Sequence, residues 1–340
     1  TVGVIFAGAF FFFFSTSFFT SLTGSTFATT VSVLISFTGS FIFVALFSFG
    51  CAQKNNLADT SWIKNKFTNI PYASISESQK LDIYLPDSIS TKLPVIVSIH
   101  GGAFLFGDKA DNQVVPMLEG IKRGYAVISI NYRLSDESKF PSQINDVKTA
   151  IRWIKANATE YNLDPNRIAL WGGSAGGNLA ALAGTSSDSK ELDDLTLGNS
   201  EYTCNVQAVV DWFGPINFLE MDKQFAISKK GEANHNDANS PESKLVGTKI
   251  TLAENLVKKA NPETYISADD PYFFVQHGTE DERVPTQQSI SFYNKLVEKL
   301  GKEKVSIELL QGAKHGGKQF ETEENINKVF QFLDTILKNQ

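Results

Sequence analysis

The stretch RIALWGGSAGGNLAALAG, residues 167–184, decides how this chain folds. The apolar run at its start is typical of a buried strand, and the small residues at its end are typical of the beginning of a helix. Ser174 lies between them in a Gly-x-Ser-x-Gly turn, in which a strand reverses sharply into a helix and lifts the serine hydroxyl above the sheet. Gly172 and Gly176 leave room for this turn because they carry no Cβ. The stretch therefore predicts an exposed serine nucleophile at the end of a buried strand.

Seven apolar runs along the chain are spaced like strands that alternate with helices. The runs are residues 81–85, 94–99, 125–131, 167–171, 206–213, 272–277 and 305–310. Several are apolar at consecutive positions, which is typical of strands buried on both faces of a mostly parallel sheet. Apolar residues at helical spacing over 144–161 and 326–337 predict amphipathic helices. The pattern predicts an α/β fold with a mostly parallel central sheet and helices on both faces.

A long polar segment, residues 215–267, interrupts this alternation. It is rich in turn-forming residues, and only residues 252–259 have a weak helical pattern. Connections of this length inside a compact domain are usually lids or binding loops. We interpret the segment as a small cap, and a mobile insertion without a role in binding is an equally compatible interpretation.

Residues 1–53 differ sharply from the rest of the chain. They contain no Asp, Glu, Lys or Arg and hold 14 of the 27 Phe. Their apolar runs approach the ~20 residues that cross a bilayer. The end of this segment, SFGC at 48–51, resembles the end of a bacterial lipoprotein signal, in which Cys51 would carry the lipid. We therefore expect a hydrophobic signal or anchor segment that ends in lipidation of Cys51 or in signal cleavage.

Other interpretations of the N-terminal segment remain. An uncleaved membrane helix is one, and a disulfide between Cys51 and Cys204 after export is another. Because the chain begins with Thr1, an incomplete or over-extended reading frame is a further explanation for part of the segment. The export interpretations all place residues 54–340, the expected catalytic domain, outside the cytoplasm, as a membrane-anchored lipoprotein or a periplasmic or secreted protein.

Charge and cysteine content exclude several classes of function. With 31 basic and 37 acidic residues, the formal net charge is -6, which disfavours binding to a phosphate backbone. Nucleic acid is therefore not an expected partner. The chain has only two cysteines, and it has no CxxC pair, no HExxH motif and no phosphate-binding glycine loop. We expect neither a metal nor another cofactor.

A serine nucleophile needs a base and an acid, which follow it along the chain in that type of site. The chain has four histidines, His100, His235, His277 and His315. His315 fits best, because it lies in GAKHGG shortly after the 305–310 run. Asp281 lies in HGTEDERVP at the end of the 272–277 run, where its carboxylate could orient the imidazole. Its rivals for this role are Glu280, Glu282, Asp269 and Asp270.

The segment HGGAF, residues 100–104, follows the 94–99 run at the edge of the sheet where ligands usually bind. Its glycines free backbone amides to point inward. Gly102 and Ala103, together with Ala175, could form an oxyanion hole, in which the loss of one donor typically costs ~10² to 10³ in rate. Phe104 and Gly173, next to these amides, are the expected substrate contacts. For His100 we favour a structural side chain that is bonded locally.

With these motifs, the chain resembles the α/β-hydrolase superfamily, and within it the bacterial esterases of the hormone-sensitive-lipase and BD-FAE-like (feruloyl and acetyl-xylan esterase-like) group. The resemblance runs from residue 81 to residue 317 and includes LDIYLP, HGGAF, GGSAGG, DWFGP, SPESKLVG, HGTEDERVP and GAKHGG. It implies that Ser174 is the nucleophile, His315 the general base and acid, and Asp281 the orienting acid. It also implies the oxyanion amides named above, although Ala103 stands where many relatives have a third glycine.

The resemblance implies a serine carboxylic ester hydrolase that acts through an acyl-enzyme and needs no cofactor. Its expected substrates are small esters or acetylated or feruloylated polysaccharides. A peptidase or amidase like the prolyl-oligopeptidases or arylformamidases is an alternative, although residues 57–80 are too few for an upstream propeller domain. A membrane-tethered binding protein that lost turnover is a second alternative, and the intact Ser, Asp and His argue against it.

Overall fold

The computed structural model describes part of the chain, residues 35–38, 41–44 and 57–338. The chain divides into two units, Thr1–Lys54 and Asn55–Gln340. In the first unit, β1 (Ile35–Thr38) and β2 (Phe41–Val44) pair antiparallel. Cys51, and with it the expected lipid anchor and the alternative disulfide, lies outside the described residues. Among the helices of the described ranges, none has the length and apolar character needed to cross a bilayer.

An eight-stranded sheet forms the centre of the second unit. Its strands are β3 (Asn65–Pro71), β4 (Lys80–Leu85), β5 (Leu93–Ile99), β6 (Ala126–Ile130), β7 (Leu163–Gly173), β8 (Ala208–Trp212), β9 (Tyr272–Gly278) and β10 (Val305–Leu310). They lie in the order β10-β9-β8-β7-β5-β6-β4-β3. All pairs from β10 to β6 are parallel, whereas β4 and β3 join antiparallel at one side. The predicted mostly parallel sheet is confirmed.

Helices cover both faces of this sheet. They are α1 (Val115–Leu118), α2 (Ser142–Ala156), α3 (Ala175–Thr185), α4 (Met221–Ser228), α5 (Pro241–Val246), α6 (Glu254–Lys259), α7 (Gln287–Leu300), α8 (Lys318–Glu321) and α9 (Glu323–Leu337). Successive residues of a strand point to opposite faces. Val95 and Val97 therefore join the buried residues of α2, α3 and α7, whereas Ile96 joins those of α1 and α9. The prediction of helices on both faces is confirmed as well.

The order of the strands determines where a site can form. β6 lies on one side of β5 and β7 lies on the other, so the chain changes direction between β5 and β7. In open α/β sheets, ligands bind at the carboxyl ends of the strands beside such a point. The loops that follow β5, β7, β8, β9 and β10 all leave from this edge, because these strands are parallel.

The polar segment from 215 to 267 is folded onto the domain. The short helices α4, α5 and α6 lie within it, and the helix expected over 252–259 is found as α6. Phe218, Met221, Leu245 and Val257 belong to the same buried cluster as one face of the sheet. The segment is therefore anchored to the core by apolar side chains, although most of its residues are polar.

Candidate active site

Ser174 occupies the sharp turn between β7 and α3. Its backbone has a φ of 56° and a ψ of -123°, a conformation that is strained for a residue with a side chain. A Cβ on Gly172 would lie 2.3 Å from the carbonyl of Gly176, and a Cβ on Gly176 would lie 2.0 Å from the carbonyl oxygen of Ile99. The Ser174 amide donates to the carbonyl of Trp212 (2.9 Å), which fastens the turn to β8. Both glycines are thus required by close backbone contacts.

A hydrogen-bonded chain connects the three side chains that were predicted to share one site. The Ser174 hydroxyl donates to Nε2 of His315 over 2.8 Å. Nδ1–H of His315 donates to Oδ2 of Asp281 over 2.8 Å. Asp281 is fully buried, and the imidazole of His315 is 14% exposed. In this arrangement Nε2 has its lone pair toward the serine, which is the state that a general base requires.

The Asp281 carboxylate has hydrogen-bond partners on both oxygens. Oδ1 accepts from the amides of Arg283 (2.8 Å) and Val284 (2.9 Å), and Oδ2 also lies 3.1 Å from Nε2 of His277. Burial alone would raise the pKa of Asp281, but the hydrogen bonds from His277 and His315 outweigh it and hold this pKa well below its usual value. The carboxylate therefore stays charged and keeps the imidazole of His315 oriented.

The rival acids are placed elsewhere. The carboxylates of Glu280 and Glu282 form ion pairs with lysines at 2.9 Å and 2.7 Å. Asp269 and Asp270 precede β9, so they lie at the opposite edge of the sheet from Ser174. Of the five acids considered from the sequence, Asp281 is the one whose carboxylate contacts His315.

Two of the other histidines have local structural contacts. His100 is buried, its Nδ1 lies 2.7 Å from the carbonyl of Gly101, and its ring stacks on Tyr132 at 4.4 Å. Burial lowers the pKa of His100. His277 accepts at Nδ1 from the Ser289 hydroxyl (2.7 Å), which turns its Nε2–H toward the loop that carries the acid. His277 is thus a support for Asp281.

The predicted oxyanion amides lie around the serine. Gly102, Ala103 and Ala175 line the same cavity as Ser174, and within residues 57–338 none of their amides donates to another group. Ala175 is the first residue of α3, where an unpaired amide and the positive end of the helix dipole favour a developing negative charge. These amides are therefore free to bind an oxyanion.

The loop after β5 is held in place from several sides. A Cβ on Gly102 would lie 1.9 Å from the carbonyl oxygen of Phe106, and the side chain of Gln113 accepts from the Gly101 amide (2.8 Å). The carbonyl of Phe104 accepts from the amide of Ser135 (2.8 Å) and from its hydroxyl (2.9 Å). Ala103 and Phe104 keep positive φ values of 56° and 61° in this loop.

A cavity of about 790 Å³ opens above Ser174. Its apolar wall includes Phe106, Pro116, Met117, Phe213 and Phe320. Polar residues also line the cavity and are together called the polar wall; they include Lys230, Glu232, His235, Glu242 and Arg283. Gly173 and Phe104, the predicted substrate contacts, also line this cavity, but the ring of Phe104 is buried and packs near that of Phe218 at 6.2 Å.

Phe213 also belongs to the site, although it was not predicted from the sequence. Its ring meets the imidazole of His315 edge to face at 4.8 Å and packs against Phe320 at 4.7 Å. Phe213 follows β8 directly and has a φ of 45°, and its amide donates to the carbonyl of Gln276 (2.7 Å). The sequence feature that could have indicated this role is the position of Phe213 in DWFGP, at the end of a predicted strand. The ring shields one side of the catalytic imidazole from water.

The polar wall of the cavity comes largely from the 215–267 segment. Both ring nitrogens of His235 face acceptors, Oδ1 of Asp222 and the carbonyl of Arg283, each at 3.0 Å. The ammonium group of Lys230 donates to the carbonyl of Thr279 and to the carboxylate of Glu280. The segment thus contacts the same loop that carries Asp281.

The described part of the chain holds no group of three or more His, Cys, Asp or Glu side chains that could bind a metal ion. Cys204 is buried, and its thiol donates to the carbonyl of Ser187 at 3.2 Å. The burial raises the pKa of this thiol. Cys204 therefore behaves as a packed core residue.

Known proteins share sequence with this chain over most of its second unit. The family model described as BD-FAE matches residues 81–296. LipM of Mycobacterium tuberculosis, which bears the name probable carboxylic ester hydrolase, is 34% identical over 237 residues, a match that covers 67% of this chain and 51% of that protein. The chain spans about half the length of the curated relatives it matches.

Two solved structures are similar over most of the described domain. A truncated form of a carbohydrate esterase from gut microbiota is 33% identical, with a TM-score of 0.72, and the match covers 83% of this chain and 99% of that one. A bifunctional GH43-CE protein of Bacteroides eggerthii is 38% identical, with a TM-score of 0.70, and the match covers 79% of this chain and 35% of that one.

Proposed function

Because this chain belongs to the BD-FAE family of α/β-hydrolases, we propose that it is a serine carboxylic ester hydrolase. The observation that carries the proposal is the continuous hydrogen-bonded chain from Ser174 through His315 to Asp281. It lies beside three amides that have no acceptor within residues 57–338. A hydroxyl, an imidazole and a carboxylate in this order activate the hydroxyl for attack on an acyl carbon.

Acylation begins when the Ser174 oxygen attacks the ester carbonyl carbon. As the new C–O bond forms, the serine proton passes to Nε2 of His315, and the electron pair of the carbonyl double bond moves onto its oxygen. The amides of Gly102, Ala103 and Ala175, which line the cavity beside Ser174, stabilise the negative oxygen. The tetrahedral intermediate then collapses, the alcohol oxygen leaves with the proton from Nε2, and an acyl-serine remains.

Deacylation repeats these steps with water as the nucleophile. His315 removes a proton from the water, the acyl carbon becomes tetrahedral again, and the Ser174 oxygen leaves with that proton. The charged carboxylate of Asp281 stabilises the imidazolium in both halves of the reaction without taking its proton. The ring of Phe213 keeps bulk water from one side of this ion.

The substrate class follows from the cavity and from the relatives. Its volume and its one polar wall suit an ester whose alcohol or acyl part is larger than a short alkyl group. One similar structure is a carbohydrate esterase, which favours esters of sugars among the possible substrates. We propose small esters and acetylated or feruloylated polysaccharides as the substrates to test first.

A substrate panel tests the proposal directly. We expect purified protein to hydrolyse aryl acetates and at least one of methyl ferulate and acetylated xylan, and we expect Ser174→Ala to abolish this turnover. Peptide anilides belong in the same panel, because turnover of the anilides alone would indicate an amidase. No turnover of any of these compounds would favour a binding protein and contradict the proposal.

We further propose export and membrane anchoring, on the composition of residues 1–53 and on SFGC at 48–51. If Cys51 is lipidated, the full-length protein expressed in a bacterium that is fed a labelled fatty acid should carry the label. Cys51→Ser should lose the label, whereas Cys204→Ser, at a buried position, should keep it. Equal labelling of wild type and Cys51→Ser would argue against lipidation of Cys51.

A further inference from the structure

One buried carboxyl group in the polar wall of the cavity has no role in the reaction described above. Glu242 is the second residue of α5, and it is only 4% exposed. Its Oε2 has no hydrogen-bond partner among residues 57–338. Buried polar atoms without a partner are rare in proteins, and each one needs an explanation.

Glu242 lines the same cavity as Ser174 and the oxyanion amides. The same face of its helix is anchored in the domain, because Leu245 and Val246, one turn after Glu242, belong to the main buried cluster. The helix is also fastened to the domain, since the carbonyl of Leu245 accepts from the Phe140 amide (2.9 Å). The carboxyl group is therefore presented by a fixed element.

The surroundings of Glu242 do not supply a strong partner. Burial raises the pKa of Glu242, and the nearby His235 and Ser240 offset this only in part, while Asp222 adds to the increase. The ring of His235 is occupied by Asp222 and by a backbone carbonyl. A hydroxyl group that enters the cavity would supply the missing hydrogen bond. It would donate to the carboxyl group when Glu242 is charged, and it could donate to or accept from this group when Glu242 is protonated.

We propose that Glu242 is a specificity residue that hydrogen-bonds a free hydroxyl of the ester substrate. The inference rests on the proposed esterase function. A partly acylated sugar carries free hydroxyl groups next to its ester group, whereas simple alkyl and aryl esters do not. A site built to bond a hydroxyl discriminates against analogues that lack it, because its own polar group is then left without a partner.

Two acetates of similar ring size separate this role from a general effect on catalysis. Cyclohexyl acetate has no hydroxyl, whereas monoacetylated methyl xyloside has free ring hydroxyls. For wild type, Glu242→Gln and Glu242→Met, we would measure kcat and KM on both esters and compare the ratio of their kcat/KM values. Glu254→Met is the matched control, because Glu254 is an exposed glutamate of the same segment.

We expect wild type to prefer the sugar ester and Glu242→Met to reduce this preference by about tenfold to a hundredfold, mainly through a higher KM for the sugar ester. Glu242→Gln keeps one acceptor oxygen, so its preference should be intermediate. If Glu242→Met does not fold, the ratio of kcat/KM values for Glu242→Gln still tests the proposal. The control variant should keep the wild-type ratio.

The outcomes distinguish the inference from the function on which it rests. If wild type hydrolyses aryl acetates through Ser174 but shows no preference between the two ring esters, the specificity role is wrong and the esterase function stands. If Glu242→Met and Glu242→Gln both lower kcat/KM equally on the two esters, Glu242 supports the fold of the cavity instead. If wild type hydrolyses no ester of the earlier panel, both proposals are wrong.

Discussion

Two regions of this molecule form its cavity, and they are built in different ways. The sheet rim, defined as the loops that follow β5, β7, β8, β9 and β10, holds Ser174, Asp281, His315 and the oxyanion amides. Its shape depends on backbone contacts so close that a single Cβ would disrupt them. The insertion, residues 215–267, supplies the polar wall through side chains that are anchored by a few apolar residues. We therefore expect the chemistry to depend on the rim and the choice of substrate to depend on the insertion.

The largest effect should come from the rim. Ser174→Ala removes the nucleophile, and because a catalytic triad acts as a unit we expect kcat to fall by about 10⁴-fold or more on any ester that the protein hydrolyses. The methyl group fits the space of the hydroxymethyl group, so the thermal unfolding temperature should stay close to that of wild type. Steady-state kinetics and a thermal melt check both expectations. Residual turnover within tenfold of wild type would place the nucleophile elsewhere, and the rim would then not be the part of the molecule that carries out the chemistry.

This contrast also explains what the sequence could and could not predict. All seven predicted strands are present, because consecutive apolar residues at these positions are needed to bury both faces of a sheet. The strand β3 was missed, since six of its seven residues are exposed and the seventh is only partly buried, so it lacks an apolar pattern. The Gly-x-Ser-x-Gly turn was predictable because backbone sterics allow few residue types there.

The insertion was much less predictable. Only α6 was expected within it, because α4 and α5 are short and only half of the residues in each are apolar. Nor did a sequence pattern mark the contacts of Lys230 and His235 with the loop that carries Asp281, since they join residues about 50 positions apart. Phe213 and Glu242 were present in recognised motifs, but their contacts depend on how distant loops meet. The catalytic roles of the rim residues stay predictions until they are measured.

The next largest effect separates Asp281 from its acidic neighbours. Asp281→Asn keeps an oxygen for the amides of Arg283 and Val284 but turns an NH₂ group toward His315, which favours the wrong imidazole tautomer. We expect kcat to fall by about 10³-fold or more. Glu282→Gln, whose carboxylate pairs with Lys314 at 2.7 Å, is the control and should change kcat by less than about threefold. Equal losses in the two variants would leave the acid unassigned.

The acidity of Asp281 also sets how the rim responds to pH. The pKa of this carboxyl group is lower in the folded protein than in the unfolded chain. Its contribution to stability is therefore present at pH values above the pKa of the unfolded chain, and it is lost as the pH falls through the pKa of the folded protein. The contribution should therefore persist over the whole neutral range. Asp281→Asn should lower the free energy of unfolding at pH 7, and urea titrations of both proteins measure the difference.

Each region contains a buried carboxyl group with an oxygen that lacks a partner, and the two should behave differently. Asp211 lies beneath the rim, accepts from the Gly214 amide (3.0 Å) through Oδ1, and has no partner for Oδ2 in the described part of the chain. Burial raises the pKa of Asp211 to about 6, although the bond from Gly214 and the nearby His277 oppose this. Unlike Glu242, it is not among the residues that line the cavity.

The sign of the Asp211 effect follows from this shift. A folded pKa above the unfolded value means that the group's stabilising contribution is present at low pH and is lost as the pH rises through about 6. Asp211→Asn should therefore raise the free energy of unfolding at pH 8 by roughly 2 to 3 kcal/mol and change it little at pH 4. Denaturant titrations at the two pH values check this, with exposed Asp269→Asn as the control. A lower stability of Asp211→Asn at pH 8 would mean that the charged carboxylate has a partner.

The smallest effect concerns the contact between the two regions. Lys230 of the insertion pairs with Glu280 of the loop that carries Asp281 at 2.9 Å, and both side chains are about half exposed. Exposed ion pairs contribute less than about 1 kcal/mol and weaken with salt. Lys230→Met should therefore raise KM only about twofold to fivefold at low ionic strength, because the insertion is held less firmly against the rim. The difference in KM from wild type should shrink in 1 M salt, where the Debye length is about 3 Å. Lys249→Met, at an exposed position of the same insertion, should leave KM unchanged.

A drop in kcat of about 10²-fold or more in Lys230→Met would show that the insertion controls the chemistry as well as substrate choice. The division of roles between the two regions would then be wrong.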